Sequence, residues 1–114
     1  MKLKIKYQLS FFFLLTGLTF YAQFQNEQER KEYANELFQQ KKFIEAEPHM
    51  LHFLSLENTT DYSFKYGVCA LHKYADKSKA IRFLKFAIKD REVDSRAFFY
   101  LGKAYHLNYL FNDA

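Results

Sequence analysis

Apolar side chains recur at intervals of three and four residues along much of the chain. The pattern is clearest between residues 78 and 89, where one stripe contains Ala80, Phe83, Leu84, Ala87 and Ile88. The bases Lys79, Arg82, Lys85 and Lys89 occupy the opposite side of that segment. Such spacing is typical of amphipathic helices. Together with clusters of capping residues it predicts an all-α fold, with helices at about residues 25–40, 44–56, 61–73, 78–89 and 95–108.

The first 22 residues are a different kind of sequence. Their bases are Lys2, Lys4 and Lys6. An uncharged apolar run follows at residues 9–18, and polar residues begin at Gln23. This order is typical of a secretory signal peptide, and the run is shorter than the roughly 20 residues that a membrane-spanning helix needs. We predict cleavage after Ala22, which leaves residues 23–114 as the exported chain; the alternative is an uncleaved N-terminal anchor.

The charge balance changes when this signal peptide is set aside. The 114 residues include 17 Lys and Arg against 13 Asp and Glu, a formal net charge of +4. Three of these bases lie in the signal peptide and all of the acids lie beyond it, so the exported chain has a charge of +1. It contains no long Lys/Arg cluster interleaved with aromatic residues. The sequence therefore indicates no nucleic-acid partner.

The composition favours a compact, helix-rich domain. Hydrophobic residues make up 49% of the chain and aromatic residues 20%, with only 3 Gly and 1 Pro. The single cysteine, Cys69, has no second cysteine with which to form an internal disulfide. Because it lies between Val68 and Ala70 in a helical pattern, we interpret it as a small buried hydrophobic residue rather than a reactive thiol.

Small residues recur in pairs along the predicted helices. The pairs are Ala34 with Ala46, Gly67 with Ala80, and Gly102 with Ala114. The first members are 33 and 35 residues apart, which brackets the period of about 34 residues in tetratricopeptide repeats. The third segment matches that family's pattern best, through Phe98, Leu101, Gly102, Tyr105 and Ala114. The exported chain therefore resembles a tetratricopeptide repeat domain, with units at about 27–59, 60–94 and 95–114.

This resemblance implies antiparallel helix pairs stacked as a superhelix of about two and a half repeats. The packing residues that it implies are Ala34, Ala46, Gly67, Ala80, Ala87, Gly102 and Ala114. Gly67 is expected to face Ala80, and Gly102 to face Ala114, so Gly102→Leu should force the last helix pair apart. Residues 111–114 are interpreted as the start of another helix. The last unit is then incomplete, and the chain is expected to be the N-terminal piece of a longer protein.

The family resemblance also implies a peptide-binding groove along the first helix of each unit. In the first unit its residues are Lys31, Asn35, Phe38 and Gln39. In the second they are Phe64, Val68, Leu71 and His72, and in the third Arg96, Phe99, Lys103 and His106. Lys31, Asn35 and Arg96 match the carboxylate clamp of chaperone-binding members, but Lys65 and Tyr100 depart from it. We therefore expect a protein or peptide partner of another kind.

The sequence contains no set of residues that indicates an enzyme. No Ser/His/Asp or Cys/His arrangement, Gly-rich phosphate loop or paired carboxylates has a catalytic spacing. His49 and His52 are three residues apart, but no third metal ligand joins them at helical spacing. We expect no catalytic activity, cofactor, metal or small-molecule substrate.

A second resemblance lies in residues 66–69 and 100–109, which are similar to the N-terminal repeat region of exported OmpA-like envelope proteins of Gram-negative bacteria. This implies a scaffold in the periplasm or at the outer membrane that mediates protein–protein interaction. Peptidoglycan binding would belong to downstream domains and to no residue of this chain. The alternatives are repeats that serve only as a structural spacer, or an accessory or sensor domain of a larger envelope enzyme or secretion machine.

Overall fold

The structure is a computed structural model that describes the backbone of residues 26–113 and the side chains of residues 26–110. Its helices are α1 (Glu27–Gln39), α2 (Phe43–Leu56), α3 (Thr60–Lys73), α4 (Ser78–Ala87) and α5 (Arg96–Asp113). Residues 26–113 contain no strand, so the predicted all-α class is confirmed. The predicted signal peptide, its cleavage site and Ala114 lie outside the described residues.

The chain divides into two compact units, and the boundary between Tyr33 and Ala34 falls inside α1. Of the first unit, residues 26–33 are described and form the first turns of this helix. There the Asn26 Oδ1 accepts a hydrogen bond from the Glu29 backbone N–H at 2.7 Å. This bond satisfies one of the N–H groups that have no partner inside a helix. The second unit contains the rest of α1 and the four helices that follow.

Local hydrogen bonds mark the end of α1 and the start of α3. After α1, Lys41 adopts a left-handed conformation with φ of 62°, and the Lys42 N–H donates to the Leu37 carbonyl at 2.9 Å. These features end a helix by pairing its last carbonyl groups. At the start of α3, the Thr59 Oγ1 accepts a hydrogen bond from the Tyr62 N–H at 3.2 Å, so Thr59 caps this helix.

Helix α3 lies at the centre of the second unit. It packs against both α2 and α4, and it also contacts α5, while α4 packs against α5. The largest fully buried side chains include Phe64, Tyr66 and Val68 of α3, with Met50 of α2 and Leu84 of α4. Successive helices therefore pack in series, in a solenoid-like arrangement whose core is built around α3.

Gly67 of α3 lies in close contact with α4. A Cβ atom at this position would come within 2.7 Å of the Leu84 Cγ and 3.4 Å of the Leu84 backbone nitrogen. Carbon atoms do not approach to 2.7 Å without displacing something, so the crossing requires the absence of a side chain. The three atoms nearest to such a Cβ all belong to Leu84, whereas the sequence predicted that Ala80 would face Gly67. Ala80 is itself fully buried in the core.

The third unit differs from the sequence prediction. Helix α5 continues from Arg96 to Asp113, so the expected break before residue 111 is wrong. Residues 107–113 contain neither Gly nor Pro, and nothing there ends a helix. Gly102 is exposed, and beyond its own stretch of helix no described atom would lie within 4 Å of a Cβ added to it. The predicted close contact at Gly102 is therefore absent from the described part of the chain.

Candidate protein-binding surface

Burial divides the predicted groove residues into two groups. Phe38, Phe64, Val68 and Leu71 are buried in the core. A partner would have to displace other helices to touch these four side chains in this arrangement, so their predicted place in a groove stays a prediction. Because α3 is covered by helices on several sides, apolar positions that looked available in sequence pack inside the protein. Lys31 lies in the first unit, on α1.

Phe64 is a predicted groove residue that side chains of neighbouring helices cover. Its ring centroid lies 5.9 Å from that of Phe38 on α1 and 6.3 Å from that of Tyr100 on α5. The Arg96 guanidinium carbon lies 5.8 Å from the Phe64 ring centroid. Aromatic pairs at these separations are favourable beyond the area that they bury. Phe64 therefore joins α1, α3 and α5 and is a packing residue rather than a ligand contact.

The remaining predicted residues lie at the surface, most of them on α5. Gln39, His72, Arg96, Phe99, Lys103 and His106 are exposed, and Asn35 is half-buried. Phe99 is 65% exposed, which is unusual for a large aromatic side chain. We call the set Arg96, Phe99, Lys103 and His106 the α5 edge. Its mixture of one aromatic and several polar or cationic groups suits contact with another protein.

Two polar residues of the predicted clamp are already engaged within the protein. The Asn35 Oδ1 accepts a hydrogen bond from the Lys65 Nζ at 3.2 Å, and the same ammonium pairs with Asp61 at 2.9 Å. Arg96 pairs with Asp94, with 2.7 Å between the closest nitrogen and oxygen. The hydrogen bond from Arg96 is the main reason why the pKa of Asp94 lies below its usual value. These pairings leave the clamp without two of the groups that would hold a carboxylate.

Two small cavities lie beside the α1–α2 turn, and one of them borders the α5 edge. One of about 160 Å³ is lined by Phe38, Gln39, Lys41, Phe43, Arg96 and Tyr100. Another of about 280 Å³ lies between the α1–α2 turn and His72. The His72 ring lies 4.5 Å from the Phe43 ring, and its Nδ1 is 2.9 Å from the Val68 carbonyl oxygen. Sequence analysis missed the contribution of the α1–α2 turn, because Lys41 and Lys42 have the pattern of ordinary solvated bases.

Glu47 is a buried carboxylate that sequence analysis did not single out. It is 3% exposed, and its two oxygens accept hydrogen bonds from the Lys73 Nζ at 2.8 Å and the Tyr74 hydroxyl at 2.9 Å. Burial alone would raise the pKa of Glu47, but these hydrogen bonds outweigh it and hold the pKa below the usual value of 4.5. The charged carboxylate therefore connects α2 to the end of α3. Such a closed, fully paired site is structural.

The buried thiol and hydroxyl groups near Glu47 stay protonated and unreactive. Cys69 is fully buried, as predicted, and burial together with the Glu47 charge raises the pKa of its thiol to about 12. The same two causes raise the pKa of the Tyr66 hydroxyl well above its usual range. Thiol reactivity requires the thiolate and access to it. Cys69 therefore acts as a small core residue.

Among the side chains that the structure describes, those of residues 26–110, no group of three or more His, Cys, Asp or Glu lies close enough to hold a metal ion. Within the same residues, no helix combines the length and apolarity that a membrane crossing needs. Comparisons of the chain with known protein families, curated proteins and solved structures gave no match in any of the three.

Proposed function

We propose that the chain is an exported protein-interaction scaffold of the tetratricopeptide repeat type, which binds another envelope protein through the α5 edge. The observation that carries this proposal is the exposure of Phe99 beside Arg96 and Lys103, at the end of a series of packed helices. A large exposed aromatic side chain flanked by bases is a common anchor in protein interfaces. The serial packing of α2 to α5 also agrees with a repeat architecture.

The chemistry of the α5 edge indicates the kind of segment that it binds. Arg96 is neutralised by Asp94, whereas Lys103 makes no ion pair among the described residues. The aromatic face of Phe99 favours an apolar side chain of the partner, and Lys103 favours an acidic or carbonyl-bearing group next to it. A short extended or helical segment with this pairing would fit without displacing the core.

Neighbouring aromatic residues on α5 provide a matched test. Phe98 and Phe99 are 60% and 65% exposed, and adjacent positions of a helix point about 100° apart. The full-length protein would be crosslinked in intact cells in the wild type and in the Phe99→Ala and Phe98→Ala variants. We expect the crosslinked envelope partner to be lost in Phe99→Ala and kept in Phe98→Ala. Equal partners in both variants would contradict binding through the α5 edge and favour the spacer alternative.

Export is tested separately from binding. The proposal requires removal of residues 1–22, so the N-terminal residue of the protein purified from the cell envelope should be Gln23. Mass spectrometry of the intact protein and of its N-terminal peptide measures this directly. A protein that still begins at Met1, or that is absent from the envelope fraction, would contradict export with cleavage.

A further inference from the structure

A groove runs between α4 and α5 and is separate from the α5 edge. It has a volume of about 680 Å³ and is lined by Ser78, Ile81, Arg82, Lys85, Phe86, Lys89, Tyr105 and Asn108. Its α4 residues, and those of the turn that follows, are spaced three or four positions apart from residue 78 to residue 89. At the helical rise of 1.5 Å per residue, this row is about 16 Å long. The groove can therefore accommodate about three turns of a helix.

The floor of this groove is apolar. Ile81 and Phe86 are half-buried, so part of each side chain is open to the groove. Tyr105 contributes a ring that is 47% exposed from the α5 side. Apolar surface that stays open in this way gains free energy when another apolar side chain covers it.

The charged residues that line the groove are all basic. Arg82, Lys85 and Lys89 are exposed, and none of them pairs with a carboxylate in the part of the chain that the structure describes. Their charge contacts are with rings: the Arg82 guanidinium carbon is 4.8 Å from the Phe83 centroid, and the Lys89 Nζ is 5.9 Å from that of Phe86. Residues 77–89 contain no Asp or Glu. The uncompensated positive charge gives the groove a preference for an acidic occupant.

We propose that the α4–α5 groove binds an acidic amphipathic helix of a partner protein. Its apolar side chains would cover Ile81, Phe86 and Tyr105, and its carboxylates would pair with Arg82, Lys85 and Lys89. An elongated apolar groove with helically spaced contacts is the usual receptor for such a helix. A phosphate polymer would use the basic rim but leave the apolar floor uncovered. The proposal is independent of the α5 edge, because it uses other residues of α5.

The experiment measures binding of labelled synthetic peptides to the full chain by fluorescence anisotropy. The probe is a four-turn peptide with Leu along one face and Glu along its flanks. One matched peptide has Lys in place of Glu, and another has the same composition without an apolar face. We expect the acidic amphipathic peptide to bind at least about tenfold more tightly than either control peptide, and its binding to weaken with salt. Equal binding of the three peptides would overturn the proposal.

Two charge reversals on α4 locate the site. Lys85 lines the groove, whereas Lys79 lies outside it, with its Nζ 4.8 Å from the Tyr74 ring centroid. Both are exposed, so neither Lys85→Glu nor Lys79→Glu should unfold the protein, which circular dichroism checks. We expect Lys85→Glu to weaken peptide binding about tenfold and Lys79→Glu to change it by less than about threefold. Equal losses would show a general charge effect and overturn the groove assignment.

Other occupants are distinguished in the same assay. An oligonucleotide or anionic phospholipid vesicles that bind more tightly than the peptide, with the same loss in Lys85→Glu, would replace the proposal by an anionic-surface site. Dimer formation that Tyr105→Ala abolishes would replace it by self-association.

Discussion

Helices α3 and α5 carry the same pattern 35 residues apart, yet one forms the centre of the core and the other lies at its edge. Phe64 is 1% exposed, whereas Phe99, the corresponding residue of α5, is open to solvent. Gly67 is pressed against Leu84, whereas Gly102 faces open space. A repeat pattern thus identifies positions that suit close packing, but the neighbouring helices decide whether packing occurs. The same residue type is a core contact on α3 and a candidate binding group on α5.

The largest difference is expected between the paired phenylalanines. Phe64→Ala removes a ring that packs against Phe38 and Tyr100, and should lower the free energy of unfolding by about 3–5 kcal/mol. Phe99→Ala removes an exposed ring and should change it by less than about 0.5 kcal/mol. Urea denaturation of both variants measures the two effects. Similar losses would mean that α5 is as well covered as α3.

The paired glycines should respond in opposite directions. Gly67→Leu forces a side chain into the α3–α4 crossing and should cost about 3 kcal/mol through overpacking. At Gly102 an added Cβ meets no packing neighbour among the described residues, so Gly102→Leu should stabilise the protein by up to about 1 kcal/mol, because leucine favours a helix over glycine. Thermal melting of the two variants separates these outcomes. Destabilisation by Gly102→Leu would instead support the close contact that the sequence predicted at this position.

The buried carboxylate Glu47 connects α2 to the end of α3, and its contribution to stability depends on pH. Because its folded pKa lies below the usual value, the stabilisation is present above about pH 4.5 and is lost as pH falls through the folded pKa. Glu47→Gln should cost about 2 kcal/mol at neutral pH. The difference from wild type should shrink in acid, as measured by urea denaturation across pH. A difference that is constant with pH would contradict a charged, paired Glu47.

A smaller effect than that of Glu47 is expected at Ser63, whose hydroxyl is buried without a hydrogen-bond partner among the described residues. Its counterpart on α5 is the exposed Phe98. Ser63→Ala removes an unsatisfied polar group and should stabilise the protein by about 1 kcal/mol. The melting temperature should rise slightly. A clear fall would show that the hydroxyl has a partner, such as a buried water.

Local features of this fold were predictable from sequence, and features made by distant residues were not. The Thr59 cap and the burial of Cys69 depend on neighbouring residues and helical periodicity. Glu47 instead depends on Lys73 and Tyr74, which lie 26 and 27 residues further along the chain. The candidate surface was predictable only in part, because its exposure also depends on contacts between distant residues. Phe99 and Lys103 are exposed as expected. The burial of Phe64, however, depends on where α1 and α5 contact it, which the sequence does not show.

The central claim is that α3 is covered on several sides while α5 presents an open face. Hydrogen exchange of the backbone amides in the free, full-length protein tests it most directly. The account predicts that amides of α3 exchange only through global unfolding, whereas those of α5 from about Tyr105 onward exchange much faster through local opening. Equal protection of the two helices, at a protein concentration where the chain is monomeric, would contradict it.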